Sequence, residues 1–392
     1  MTEAILVLNV GSSSLKFAVF GAAQLDVLCR GGIDGIGRAP QFFVHGPLAS
    51  KFPSLNVEAK HPTHETFTDW LFNAIRREMP ELSLVAVGHR IVHGGMRFDR
   101  PVRVGADVLA YLDNLVELAP GHEAYSLAAI RAVAQLWPSL SQIACFDTQF
   151  HRTQPRLAQI FALPRALSDE GILRYGFHGL SYEYIASVLP EVAGTQSEGR
   201  VVVAHLGNGS SMCAMIGRKS IATTMSYTPL DGLMMGTRCG AIDPGVIFHL
   251  MQHKGMSAAD VASLLGNKSG LAGVSGISGD VRELEASTHP HATEALDLFA
   301  YRANQELGGL VAALGGLDVL AFTGGIGEHS ACVRRRICEL ASWAGLDFDS
   351  HANAENGPRI STQMSKVSVF VIPTNEELVV ARAAKRLRHS AI

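Results

Sequence analysis

The sequence predicts an α/β chain of two similar halves, each opened by a β-hairpin with a glycine-rich turn. Two observations carry this reading. Asn9-Val10-Gly11-Ser12-Ser13-Ser14 lies between apolar runs at 5–8 and 16–20, and His205-Leu206-Gly207-Asn208-Gly209-Ser210 lies between runs at 201–204 and 212–216. Each is a Gly/Ser/Asn turn that can expose backbone N–H groups between two strands. The turns stand about half the chain apart, and 392 residues exceeds the roughly 250–300 at which one core stops growing. Two duplicated domains are therefore expected.

In chain order, residues 5–20 read as two strands, and 84–87 and 143–146 as short buried strands that end at polar residues. Helical spacing marks 107–118 and 124–136. The second half repeats the theme, with strands at 201–204, 212–216 and 318–322 and helices near 257–265, 292–314 and 331–344. The polar stretches 50–68 and 351–362 read as irregular. The domain boundary is placed at Asp147. Near the end, Thr374 with Glu377 three residues later matches a capping box, so a helix is expected there, with Glu377 serving the cap and Glu376 left to face the site.

Composition narrows the function. A net charge of −3 without a long basic patch argues against nucleic-acid or anionic-membrane partners, and the run Arg334-Arg335-Arg336 reads as a solvated helix face. No stretch approaches the roughly 18 apolar residues of a membrane span. The N-terminus shows no signal-peptide pattern, and six cysteines without metal spacing read as reduced thiols, so a cytoplasmic protein is expected.

The two turns have the chemistry of phosphate sites. Glycine allows close backbone approach or positive φ, the Ser12 and Ser14 hydroxyls add donors, and Lys16 or His205 adds positive charge. Two such hairpins in two similar halves suggest a nucleotide held in a cleft between duplicated domains.

Other motifs accompany the hairpins: His89-Arg90-Ile91-Val92-His93-Gly94-Gly95, Tyr175-Gly176-Phe177-His178-Gly179, Gly236-Thr237-Arg238-Cys239-Gly240, Phe322-Thr323-Gly324-Gly325-Ile326-Gly327-Glu328 and Pro373-Thr374-Asn375-Glu376-Glu377. Their order and spacing resemble the acetate kinases from Ile5 to about Arg382. That resemblance implies two ribonuclease H-like domains of the actin-like ATPase kind, 1–147 with 375–392 and 148–374. It also implies ATP/ADP as co-substrate, a short-chain carboxylate acceptor, Mg²⁺ or in its place Mn²⁺, and a homodimer.

Phosphoryl transfer needs positioning and charge neutralisation, which suits cations, fixed donors and metal organisers. By resemblance, Arg90 and Arg238 hold the substrate carboxylate or the moving phosphoryl group, as a two-point guanidinium can. His178 matches the histidine that bonds the phosphoryl group, and His122 and His205 match two further site histidines out of 16 in the chain. Asp147 matches a catalytic aspartate. A general-base role fits poorly, because carboxylic acids titrate near about 4 and the acceptor has no proton to lose at neutral pH. Asp147 is therefore assigned to magnesium through water, beside Asn9 and Glu376, whose oxygens suit Mg²⁺. Val92, Phe177 and Pro229 would wall the acyl group. Leu206, Gly207, Asn208 and Gly209 would hold phosphate. Asp280-Val281-Arg282 and the segment Gly324 to Glu328, read as an anion-friendly helix N-terminus, would form the adenosine wall.

The chain also departs from the family. Gly121 stands where a leucine usually precedes the histidine, Glu123-Ala124 where Asn-Pro follows it, and Leu180-Ser181-Tyr182 where Thr-Ser-His follows Gly179. Met96 replaces a frequent glutamate and Ala241 a frequent aspartate. Gly121 removes a wall of the acyl pocket and predicts better tolerance of propionate. A propionate or butyrate kinase is thus the alternative within the class. A nucleotide-gated binding protein of the actin or chaperone kind is the alternative outside it, though it gives no reason for Arg90, His178 and Arg238.

Overall fold

The computed structural model describes residues 1–11, 13–55, 63–118 and 123–389. The chain divides into two compact units, Met1–Gln149 with Asn375–Ile392, and Phe150–Thr374.

Unit 1 is built on a seven-stranded sheet in the order β4-β3-β2-β1-β5-β7-β6. β1 (Thr2–Gly11), β2 (Ser14–Gly21), β3 (Val27–Asp34) and β4 (Gln41–His45) form an antiparallel meander. β5 (Leu82–Ile91) and β7 (Ser141–Phe146) run parallel to β1, and the two-residue β6 (Val102–Arg103) lies antiparallel at the edge. Residues 4–8 of β1 are all buried, as expected for a central strand covered on both faces. The helices His64–Glu78 and Glu123–Leu136 pack against one another, and their apolar stripes join the β-sheet core through Phe67, Leu71, Ala129 and Val133. The last helix, Glu376–Leu387, packs on β5, β1 and β7 and buries Val379, Val380, Ala383 and Ala384.

Unit 2 repeats the plan with a five-stranded sheet, β10-β9-β8-β11-β12. β8 (Arg200–His205), β9 (Ser211–Ile216) and β10 (Lys219–Thr223) form the antiparallel part, and β11 (Val319–Thr323) and β12 (Ser368–Val371) extend it in parallel from β8. The helix Pro290–Leu314 covers one face through Leu296, Phe299, Ala303 and Leu307. The helix Gly179–Ala193 covers the other through Tyr182, Ile185 and Leu189. An antiparallel hairpin beside two parallel strands thus occurs twice, and the duplication read from the two turns is present in the topology.

Three local expectations need correction. The stretch 50–68 is not irregular throughout, because Thr63 caps the helix His64–Glu78 with a Thr63/Thr66 box and Phe67, Leu71 and Ile75 line one face. Within 351–362 a short helix, Ser350–Ala354, is capped by Asp349. The final helix starts one residue later than the sequence suggested. Asn375, not Thr374, is the N-cap, its Oδ1 accepting from the Leu378 N–H at 3.1 Å. Glu377 therefore plays no part in a capping box.

Candidate active site

In unit 1 the parallel strands deliver charge to one end of the sheet. β5 closes with His89-Arg90-Ile91, and Asp147 follows β7, its N–H bonded to Ile91 O. Arg90 Nε donates to Asp147 Oδ1 at 3.0 Å and Nη2 to Oδ2 at 2.7 Å. Arg90 Nη1 lies 3.2 Å from Glu376 Oε2 at the first turn of the last helix. Burial opposes the guanidinium charge, but Asp147 and then Glu376 outweigh it and hold its pKa above the ordinary range. Asn9 faces Lys16 across the first hairpin, and His64 Nε2 donates to Gly11 O at the turn, 2.8 Å away.

Supporting groups surround this pair. His89 is buried on Gln142, and burial lowers its pKa to about 4. His93 Nδ1 accepts from the Gly95 N–H, and burial likewise keeps that ring neutral, near 4. Glu123, which sequence reading passed over, opens the helix Glu123–Leu136 fully buried. Its Oε2 accepts from the His93 N–H at 3.2 Å, while Oε1 has no hydrogen-bond partner among the described residues. Burial pushes its pKa up to about 8, the His93 bond opposing and the Asp147 charge adding. Val92 is half-buried beside this cluster in sequence. Ser12, Gly121 and His122 lie outside the described residues.

In unit 2 the second hairpin meets two histidines and an arginine. His178 holds φ 58° as the residue before the helix Gly179–Ala193. Its ring stacks on His205 with centroids 4.3 Å apart. His178 Nδ1 lies 2.9 Å from Ser211 Oγ, and His205 Nδ1 lies 2.8 Å from Ser181 Oγ, so both Nδ1 atoms are occupied. Gly209 is needed for close approach rather than for φ. A Cβ there would lie 3.3 Å from His178 Nε2 and 3.5 Å from Arg238 Nη1.

Arg238 is half-buried, its Nη1 donating to Pro229 O at 3.0 Å. Among the described residues no carboxylate lies within ion-pair distance of it, and burial lowers its pKa. Phe177 is fully buried, its carbonyl accepting from His151, so its side chain packs in the core as the structure stands. Pro229 is half-buried.

A cavity of about 410 Å³ within unit 2 is lined by Gly207, Asn208, Asp280, Val281, Arg282, Gly325 and Ile326, among others. Asp280 caps the helix Val281–Ala286 and pairs with Arg282. In the other glycine-rich segment, three of the four N–H groups at 324–327 are engaged within unit 2. The Ile326 and Gly327 N–H groups both donate to Leu206 O, and Glu328 Oε1 accepts from the Gly324 and Thr374 N–H groups. Gly324, at φ +77°, lets this segment pass close to Leu206 O. Three of its donors are thus engaged, Gly325 lines the cavity, and Glu328 is the segment's anchor.

Arg334 is the further surprise. Expected on a solvated face, it is fully buried, and it donates to the carbonyls of Gly327, Glu328 and Asn353 and to Asn353 Oδ1. Arg335 does lie outward, on Glu339, whereas Arg336 is largely covered, its side chain 17% exposed, and pairs with Asp297. Three successive helical residues point about 100° apart, so one of them could face inward.

An oxygen-only set of Asn9, Asp147 and Glu376 has the hard-donor chemistry that suits a hydrated Mg²⁺. With both Asp147 oxygens on Arg90, those carboxylates fit such an ion through water rather than by direct ligation. Among the described residues no cluster of three His, Cys, Asp or Glu side chains is arranged to hold a metal directly.

Comparison with known proteins follows the same lines. The model of the Acetokinase family matches residues 4–382. An acetate kinase of Rhodopseudomonas palustris (strain TIE-1) is 52% identical over 99% of both chains. Among solved structures, the acetate kinase of Porphyromonas gingivalis superposes with a TM-score of 0.88 at 36% identity, over 98% of this chain and 99% of that one. A propionate kinase from Francisella tularensis superposes with a TM-score of 0.90 at 34% identity, with the same coverage.

Proposed function

The chain belongs to the acetokinase family, and from that premise we propose that it transfers the γ-phosphoryl group of ATP to acetate, forming acetyl phosphate and ADP, and catalyses the reverse. An acetate oxygen attacks the γ-phosphorus as the bond to the ADP oxygen breaks. No proton is lost, because the acceptor is already an anion.

Unit 1 supplies Arg90, aimed by Asp147 and Glu376 and with N–H groups left to take the substrate carboxylate. Lys16, Ser12 and Ser14 serve the phosphates, and Val92, with His122, serves the acid. Unit 2 supplies Arg238 and His178 as donors to the moving phosphoryl group, which spreads its charge over oxygens that such donors stabilise. His205 and 206–209 hold phosphate, and the cavity beside Asp280, Arg282 and Ile326 takes the nucleoside. Asn9, Asp147 and Glu376 would hold Mg²⁺ through water, and the ion would supply neutralisation of phosphate charge.

The observation that carries this reading is Arg238: a half-buried cation without a carboxylate, beside a glycine turn and an imidazole nitrogen, favours an anionic ligand. The experiment is a hydroxamate trap for acyl phosphate with ATP and acetate, propionate or butyrate in turn. Acetyl hydroxamate dependent on ATP and Mg²⁺ supports the proposal; none with any acid would refute it. Gly121 in place of leucine favours a second reading, in which propionate is also a good substrate.

We also propose a homodimer in the cytoplasm. The helix Pro244–Gln252 buries none of its residues and leaves Val246, Phe248 and Met251 exposed, apolar surface suited to a second copy. No disulfide joins the six cysteines, as a reducing compartment would leave them. Sedimentation velocity tests the first point, with a concentration-independent monomer as the contrary result.

A further inference from the structure

The two stacked imidazoles in unit 2 share one design. Each Nδ1 meets a serine hydroxyl, and each serine meets a further hydroxyl behind it. Ser181 Oγ lies 2.9 Å from Thr374 Oγ1, and Ser211 Oγ lies 2.5 Å from the Tyr182 hydroxyl. Tyr182 and Ser211 are both fully buried. Ser181 and Tyr182 follow His178 in the first turn of the helix it precedes, and Ser211 faces His205 across β8 and β9. Ser181, Tyr182 and Ser211 are thus placed by the elements that flank the two histidines, and Thr374 joins from 193 residues away.

The Ser211 hydroxyl carries a single proton, so the direction of one bond sets the direction of the other. If it donates to His178 Nδ1, the ring proton sits on Nε2, the nitrogen beside Gly209 and Arg238. If it donates to Tyr182 instead, it must accept from Nδ1–H, and Nε2 is left as an acceptor. Phosphoryl oxygens only accept, so a neutral His178 can bond them only in the first arrangement. A phenol, with a pKa near about 10, is a stronger acid and so a better donor than an alcohol, which favours Tyr182 donating to Ser211. Threonine behind Ser181 has no such bias.

From this geometry we infer that Tyr182 is a positioning residue, whose phenol orients Ser211 so that His178 presents Nε2–H to the transferring phosphoryl group. The inference rests on the phosphotransferase reading above for its consequence, but not for the proton arrangement itself.

The test is ¹⁵N-histidine NMR of the whole enzyme without substrates, on the wild type and Tyr182→Phe, together with steady-state kinetics. Tyr182→Phe keeps the buried ring and removes one hydroxyl; a Ser211→Ala enzyme serves as second variant if it folds poorly. Expected are an Nε2–H tautomer for His178 in the wild type and a mixture in the variant. Its kcat should fall about ten-fold, less than the about 10²–10³-fold seen when a transition-state donor is itself removed, with KM for ATP unchanged. A merely structural role would lower the active fraction and leave the tautomer alone. An Nδ1–H tautomer in the wild type, or a variant with an unaltered tautomer, would overturn the inference. Failure of wild-type enzyme to make any acyl phosphate would instead remove the phosphotransferase reading while the NMR result stood.

Discussion

Arg90 and Arg238 differ in how their charge is compensated. Arg90 in unit 1 is bonded at two points to Asp147 and lies beside Glu376, so its charge is matched within its own unit. Arg238 in unit 2 has carbonyl and thioether acceptors and, among the described residues, no carboxylate, and burial lowers its pKa. One arginine is held in place by acids; the other donates to neutral acceptors. A cation of the second kind lowers the energy of incoming negative charge most, because nothing already neutralises it.

The largest expected effect separates the two. Arg238→Ala should lower kcat by about 10³–10⁵, the range for supplied charge on a transferring phosphoryl group, with little loss of stability. Arg90→Ala should also cripple turnover but in addition lower the melting temperature, because it leaves Asp147 buried without its partner. Calorimetry beside kinetics reads both, and equal stability losses would erase the contrast.

The acid pocket comes next. Gly121→Leu should lower the propionate-to-acetate ratio of kcat/KM, within the about 10–200-fold that one pocket contact governs. An unchanged ratio would show that another side chain closes the pocket.

Glu123 sharpens the picture of compensated charge in unit 1. Its pKa is raised from 4.5 to about 8, so the native state holds a proton that the unfolded chain has lost. Stability from this group is full below about pH 4.5 and declines as pH rises toward about 8. Glu123→Gln, which keeps a neutral donor and acceptor, should therefore match the wild type at pH 5 and melt higher at pH 8.5. A parallel pH dependence in both proteins would show that Glu123 is not the titrating group.

The smallest effect concerns the helix that carries Glu376. Asn375→Ala should cost about 1 kcal/mol as a lost N-cap, whereas Glu377→Ala should cost little, since burial already disfavours its charge. Urea unfolding midpoints decide between them, and the reverse order would restore the cap to Thr374.

These cases mark what the sequence could convey. The paired hairpins and buried strands were legible because an apolar run, a glycine turn and a second apolar run are local signals. The pairing of Arg90 with Asp147 joins two strand ends 57 residues apart, and only strand register shows that they meet. Arg334 was misread because a run of three arginines suggests water, while one of the three turns inward to satisfy buried carbonyls. The backbone donors of Gly324, Ile326 and Gly327 looked available because sequence does not show that Leu206 O and Glu328 take them. Glu123 stood out in the sequence only as a departure from the family, because its burial and the bond from the His93 N–H arise in the tertiary structure.

The most direct test of the account is chemical rescue of the two arginine variants. Arg238→Ala, assayed for acetyl phosphate with and without added guanidinium ion, should regain part of its rate, because the removed cation leaves an anion site without a counter-charge. Arg90→Ala should respond less, its position being fixed by Asp147 and Glu376. Near wild-type turnover by Arg238→Ala without any added cation would contradict the central claim that this side chain supplies the charge for phosphoryl transfer.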